Sequence, residues 1–131
     1  MGIKIEGLPF PPTMNHRMIP FGGRLILSPD HRAYKKLLSL YLHKKCLTTY
    51  HNFSGKKLKV AIQYEGPRSE WFTKKGEIKK KDVENRHKGL LDVIMPYFDL
   101  DDSQIFEITI KKIITAAMET TATVVIEEVE G

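Results

Sequence analysis

Short segments in which apolar and polar residues alternate constrain the fold of this chain most strongly. The clearest runs from Leu58 to Tyr64, with an apolar residue at every second position, and a period of two is typical of a strand with one buried face. The same alternation appears at residues 3–8, 106–115 and 121–126. A small hairpin is predicted over residues 18–27, with its turn at Gly22 and Gly23. The pattern therefore indicates a β-sheet.

A segment of helical periodicity follows this hairpin. The Ser-Pro-Asp sequence at residues 28–30 is a strong helix start, because it supplies an N-cap, a proline at the first helical position and an acid near the positive helix end. We expect the helix to run to about Lys45. Its predicted apolar face consists of Tyr34, Leu37, Leu38, Tyr41 and Leu42.

A second helix is predicted from about Val83 to Met95, where Pro96 should stop it. The last two strands should run antiparallel, joined around Ala117–Glu119. The resulting order, strand, hairpin, helix, strand, helix, strand, strand, predicts an α+β fold: a two-layer mixed β-sheet with two main helices on one face. A length of 131 residues is that of a single domain, residues 1–131.

The charge is distributed unevenly along the chain. The formal net charge is +5, but residues 1–70 carry 12 basic and 4 acidic side chains, whereas residues 71–131 carry 9 basic and 12 acidic ones. A basic stretch at residues 65–81 contains Trp71 and Phe72 beside five lysines and an arginine. Such clustering favours a polyanionic partner such as nucleic acid, and the alternative is an ordinary solvated surface.

Several classes of protein are disfavoured by the composition. No apolar run reaches the roughly 18–20 residues of a membrane span, and residues 1–6 lack the features of a signal peptide. The single cysteine, Cys46, fits a reducing compartment and a structural role near a helix end. We therefore expect a cytoplasmic protein without a membrane partner, and no zinc site, since no second Cys/His pair answers His43 and Cys46.

The densest group of acids lies at Asp82 and Glu84, with Lys88 after them and Asp101-Asp102 further along the chain. If the chain is still extended at Asp82, the first two carboxylates point the same way. Converging carboxylates repel one another unless a cation lies between them, and hard oxygen ligands select Mg²⁺. The alternative is structural: Asp82 as an N-cap, Glu84–Lys88 as an i,i+4 ion pair, and Asp101-Asp102 as a solvated turn.

The same residues resemble the signature of the RusA family of Holliday junction resolvases. The similarity covers Asp82-Val83-Glu84-Asn85, Lys88, Asp92 and the turn at residues 101–105. In addition, the Pro-Pro-Thr-Met-Asn sequence at residues 11–15 resembles the family's Pro-Pro-Ser-x-Asn loop. The start of the helix at residues 28–34 also resembles that of the family's first helix, so the resemblance spans nearly the whole chain.

This resemblance implies a Mg²⁺-dependent endonuclease that acts as a homodimer on four-way DNA junctions, on a mixed sheet with helices. It implies that Asp82, Glu84 and Asp102 bind the metal and that Lys88 assists catalysis. Asp101 would either share the ligand role or lie just behind the ligands. Together with the basic stretch, it predicts DNA contacts from Lys74, Lys75, Lys79, Lys80, Lys81 and Arg86.

One position departs from the family pattern, because the second acid is usually Asp and is Glu84 here. The extra methylene leaves open a slower enzyme, a preference for Mn²⁺, an adjusted backbone, or a catalytically weak or inactive protein that only binds junctions. A nuclease for flaps or RNA is a third alternative. For Trp71 and Phe72, the alternatives are stacking on an unpaired base and anchoring of the basic stretch to the core or a dimer interface.

Overall fold

The computed structural model describes residues 2–12, 18–46, 49–79 and 86–130. Its strands are β1 (Gly2–Pro9), β2 (Met18–Phe21), β3 (Arg24–Leu27), β4 (Leu58–Gly66), β5 (Ile105–Ile114) and β6 (Thr121–Glu128). Its helices are α1 (Pro29–Lys45), the single-turn α2 (Arg68–Trp71) and α3 (His87–Tyr97). None of the described helices combines the length and the apolar character that crossing a lipid bilayer requires.

A four-stranded mixed sheet in the order β1-β6-β4-β5 forms one layer, and β2 and β3 form a separate hairpin. β4 is parallel to β5 and antiparallel to β6, which is in turn antiparallel to β1. Every second residue of β4, from Leu58 to Tyr64, is buried, as the alternation predicts. α1 and α3 supply the second layer, and the predicted two-layer α+β class is confirmed.

The last two strands run antiparallel, as predicted, but they are not neighbours, because β4 lies between them. β6 occupies a central position, and its Val124 is fully buried. The connection from β5 to β6 passes the end of β4 at Gly66, where a Cβ would lie only 2.5 Å from Thr120 Oγ1. A glycine at the end of β4 therefore leaves room for the chain to cross to the far side of that strand.

α1 has the predicted bounds, and the Ser28 side chain accepts a hydrogen bond from the His31 backbone N–H. The predicted apolar face is partly wrong, because Leu37 is 45% exposed and Tyr41 is 38% exposed. The buried stripe consists of His31, Tyr34, Leu38 and Leu42. The helix is thus rotated away from the predicted face, with His31 taking a place in the core.

α3 is described from His87 onward, and the predicted start at Val83 lies outside the described residues. Pro96 does not stop the helix, which continues to Tyr97. Pro96 has no N–H to donate to the carbonyl four residues before it, and the helix ends one residue later. The chain reverses at Asp99, which has a φ of 57°, and the Leu100 N–H then donates to the Met95 carbonyl at 2.8 Å.

Candidate active site and nucleic-acid surface

The N-terminal end of α3 carries the cationic side chains of Arg86 and Lys88 and no acid in its first described turn. Cations at this end oppose the helix dipole, which favours negative charge there. The positive charge of Lys88, which is exposed, therefore does not stabilise the first described turn of the helix. An anion such as a phosphate, or nearby carboxylates, would compensate this charge.

The Arg86 side chain joins α3 to the proline-rich segment after β1. Its Nη1 donates to the Pro11 carbonyl at 2.7 Å, and its guanidinium lies 4.7 Å from the centre of the Phe10 ring. The Phe10 ring in turn packs edge-on against Tyr64 at 5.2 Å and against Trp71 at 6.1 Å. The guanidinium of Arg86 already has these partners, and its contact with DNA stays a prediction.

The predicted basic loop is more ordered than the sequence suggests. β4 extends to Gly66, and α2 follows. An isolated bridge between Phe72 and Ile78 then closes a small turn. The Lys79 N–H donates to the Trp71 carbonyl at 2.8 Å at the base of this turn. This turn projects three exposed lysines: Lys74, Lys75 and Lys79. The three lysines therefore have a rigid base.

Trp71 anchors this turn to the core, so stacking of its ring on a DNA base is excluded as its role. The side chain is only 3% exposed, and Nε1 donates to the Ile113 carbonyl at 3.2 Å. Lys112 lies over the ring, with its Nζ 5.5 Å from the centre. Phe72 is half-buried beneath the Arg68 guanidinium, which lies 4.4 Å from its ring centre.

The acidic turn before β5 is a hydrogen-bonded cap. Asp101 Oδ1 accepts from the Ser103 N–H at 2.9 Å, and the Asp101 N–H donates to Gln104 Oε1 at 2.9 Å. Gln104 Nε2 donates to the carbonyls of Phe53 at 2.8 Å and Lys56 at 3.0 Å. Hydrogen bonds from the Ser103 backbone and side chain hold the pKa of the Asp101 carboxyl below its ordinary value.

Asp102 differs from Asp101 in the surroundings of its carboxylate. It is exposed, and within the described ranges no hydrogen bond or ion pair engages its side chain. The two neighbouring acids therefore have different roles in this turn. Asp101 caps the backbone through its hydrogen bond to Ser103, and Asp102 exposes its two carboxylate oxygens to the solvent. Of the two, Asp102 is the better candidate for a metal ligand.

Lys88 and Asp102 lie at opposite ends of the sheet. Asp102 precedes Ile105, which pairs with Leu58 at the first residue of β4. The start of α3 lies at the other end, where Arg86 contacts Phe10 and Phe10 contacts Tyr64. Tyr64 lies six positions after Leu58 in β4, a span of about 20 Å at the usual strand rise. One chain therefore does not bring Asp102 to Lys88.

The remaining predicted site residues, Lys80, Lys81, Asp82 and Glu84, lie outside the described residues. Among residues 2–12, 18–46, 49–79 and 86–130, no three His, Cys, Asp or Glu side chains form a group that could hold a metal ion. The contacts of Arg86 with Phe10 and Pro11 were not predicted from the sequence. Their only signal is an arginine and an aromatic residue in two segments that both resemble family motifs.

Comparison with known proteins gives one positive result. A family model described as Endodeoxyribonuclease RusA matches residues 9–127 of the chain, so that the match begins at the last residue of β1 and ends within β6. No curated protein matches the chain.

Proposed function

Because the chain belongs to the RusA family of endodeoxyribonucleases, we propose that it resolves four-way DNA junctions by hydrolysing phosphodiester bonds in paired, symmetric nicks. The observation that carries the proposal is the family match over residues 9–127. The acids and the lysine that the resemblance assigns to catalysis lie within this range. The biological setting would be DNA recombination and repair.

Asp82, Glu84 and Asp102 would hold Mg²⁺, with Mn²⁺ as an alternative that tolerates the longer Glu84 side chain. Carboxylate oxygens are the donors that such hard cations prefer, and the exposed carboxylate of Asp102 supports its part in the set. When bound, the cation would polarise the phosphodiester and make a bound water more acidic. Asp101 would support Asp102 by holding the turn, since its own carboxylate already serves as a cap.

Lys88 would act on the scissile phosphate. Its side chain is exposed in the first turn of α3. The backbone N–H groups at this end of the helix also carry a partial positive charge. A cation placed there can offset the negative charge that develops on the phosphate during hydrolysis. This role explains why basic residues occupy a helix end that they do not stabilise.

The backbone of the junction arms would be bound by the basic turn after α2. Lys74, Lys75 and Lys79 are exposed there, and the buried Trp71 holds the turn in place. Lys80, Lys81 and Arg86 would extend the surface toward the catalytic residues. Phosphate contacts of this kind position the DNA without reading its sequence.

The proposed enzyme would be a homodimer. A four-way junction has two equivalent strands to cut, and a two-fold symmetric protein offers two equivalent sites. The competing proposal is an inactive protein that binds junctions. It is supported by Glu84, because Mg²⁺ requires a narrow range of ligand distances and angles and Glu is longer than the usual Asp by one methylene.

Incubation with a labelled four-way junction tests the proposed function. We expect paired nicks with Mg²⁺ or Mn²⁺ and none with EDTA, because the chelator removes the cation that the carboxylates need. Linear duplex, flap and RNA substrates of equal length serve as controls and should be cut far more slowly. Binding without cleavage in either metal would instead support the inactive junction-binding protein, and faster cutting of flaps or RNA would support the third alternative.

Replacing Lys79, Lys80 and Lys81 together by Ala should weaken junction binding and flatten its salt dependence. Each lost phosphate contact removes about 0.9 from the slope of log affinity against log salt on duplex DNA. Fluorescence anisotropy at several salt concentrations measures this slope. The melting temperature is the control, and it should stay near that of the unsubstituted chain because Lys79 is exposed. An unchanged slope would show that these lysines do not contact phosphates.

A further inference from the structure

The basic turn after α2, residues 72–79, presents an apolar side chain to the solvent. Ile78 is 74% exposed, although it lies beside Lys79 in a segment with three lysines and one glutamate. Exposed apolar residues that occur singly are common on protein surfaces and by themselves indicate nothing. The backbone that holds Ile78 and the cations of the same turn give this residue its significance.

Hydrogen bonds hold the backbone of this turn. The Thr73 N–H donates to the Glu77 carbonyl at 2.8 Å, and the Gly76 N–H donates to the Thr73 carbonyl at 2.9 Å. The Glu77 N–H also donates to Thr73 Oγ1 at 3.1 Å. Gly76 has a φ of 84°, a left-handed conformation that favours glycine. Ile78 therefore projects from a turn whose conformation is fixed before a partner binds.

The residue paired with Ile78 is attached to the core. Phe72 and Ile78 form an antiparallel bridge, and side chains of residues paired in this way lie on the same face. Phe72 packs against the buried core, and the Arg68 guanidinium lies 4.4 Å from the centre of its ring. Arg68 is exposed and adds a cation to the exposed lysines of the turn, which are Lys74, Lys75 and Lys79. The turn thus combines a supported apolar side chain with groups that bind phosphate.

We propose that Ile78 is a wedge that enters the base stack at the branch point of a four-way DNA junction, while the cations of the turn bind the adjacent phosphates. This inference rests on the proposed function and deepens it, because it names the part of the substrate that the turn recognises. Isoleucine is among the apolar residues that proteins insert between base steps, where they separate the stacked bases and kink the DNA. A charged side chain at this position would lose its hydration on entering the stack.

The branch point is the place where such insertion costs least. Inside a continuous duplex every base pair stacks on two neighbours, and a wedge must separate one of these stacks. Where the arms of a junction meet without coaxial stacking, the terminal base pair of an arm already lacks one neighbour. The lysine contacts do not make this distinction, since junction and duplex carry the same phosphates. The lysines would therefore supply affinity for any DNA, and Ile78 would supply the preference for branched DNA.

Insertion is measured with a junction that carries 2-aminopurine next to the branch point, in EDTA so that cleavage does not interfere. The fluorescence of this base analogue rises when its stacking is lost. The unsubstituted chain should raise the signal at saturating protein, and Ile78→Ala should abolish most of the rise. The control is Leu40→Ala, which truncates an aliphatic side chain that is 68% exposed on α1 and should leave the rise intact. An equal rise with Ile78→Ala would overturn the wedge.

The affinities for junction and duplex separate the wedge from a structural role. Ile78→Ala should lower junction affinity at least about fivefold and leave duplex affinity within about twofold. The salt dependence should not change, because every lysine remains. Ile78→Leu keeps an apolar side chain of the same size and should restore junction binding. The melting temperature should stay near that of the unsubstituted chain, because Ile78 is exposed. Equal losses on junction and duplex would overturn the proposal, since a distorted turn weakens both.

Cleavage is measured separately, so that the wedge and the proposed function can fail independently. Ile78-dependent fluorescence and junction preference without nicks in Mg²⁺ or Mn²⁺ would reject the nuclease and support the wedge. Nicking of junctions by a chain whose Ile78→Ala variant keeps both the fluorescence rise and the junction preference would reject the wedge and leave the nuclease in place.

Discussion

Asp102→Asn should reduce junction cleavage by orders of magnitude while the protein stays folded and still binds the junction. The substitution keeps the size of the side chain and removes its charge. Metal-free binding should be unchanged or tighter, because one negative charge near the phosphates is gone. The melting temperature should change little, since among the described residues no hydrogen bond or ion pair engages this exposed carboxylate. Cleavage of a labelled junction, anisotropy in EDTA and thermal melting are the measurements.

Asp101→Ala is the matched control for this result. It removes the acceptor of the Ser103 N–H. It should therefore lower the melting temperature of the protein more than Asp102→Asn does. The lowered pKa of Asp101 gives the sign of the pH effect: the carboxylate stabilises the fold above the ordinary aspartate pKa, and this contribution is lost as the pH falls through the lowered value. Full cleavage activity of purified Asp102→Asn would remove Asp102 from the metal site.

The alternation in the sequence was sufficient to predict the strands, because a buried face imposes its period directly on the residues. The order of strands was not predictable in the same way. β5 and β6 are close in sequence and both alternate, but Ala122, Val124 and Ile126 of β6 are fully buried, whereas β5 keeps exposed apolar residues. The difference between a central strand and an edge depends on the partners on both sides, which a local pattern does not contain.

The candidate site was predicted as a set of residue types, and the structure adds where they lie. The spacing from Asp82 to Asp102 suggested one cluster. In the described residues, α3 instead carries the chain from the Lys88 end of the sheet to the Asp102 end, a helix of 11 residues and about 16 Å. Sequence separation alone does not contain the direction of a helix across a sheet, and for that reason the distance between Lys88 and Asp102 could not be predicted from the motif.

The role of Trp71 shows the same limit at a single residue. An aromatic side chain among lysines is found both on nucleic-acid-binding surfaces and as a buried anchor of a loop. The local amino-acid composition is the same in the two cases and therefore does not distinguish them. The distinction comes from the hydrogen bond to Ile113 and from the contact with Phe10, and both partners are distant in sequence. These contacts link the basic turn, β5 and the proline-rich segment at one point.

Trp71→Ala should therefore destabilise the protein and leave the DNA contacts of the remaining folded molecules intact. Truncating a buried tryptophan costs about 3–5 kcal/mol, and the Ile113 carbonyl also loses its donor. Urea unfolding measures the loss, and junction binding is compared at a temperature where the variant is folded. Trp71→Phe is the control, because it keeps most of the apolar volume and removes the indole N–H. Unchanged stability with lost junction affinity would contradict the anchoring role and return Trp71 to the DNA-binding surface.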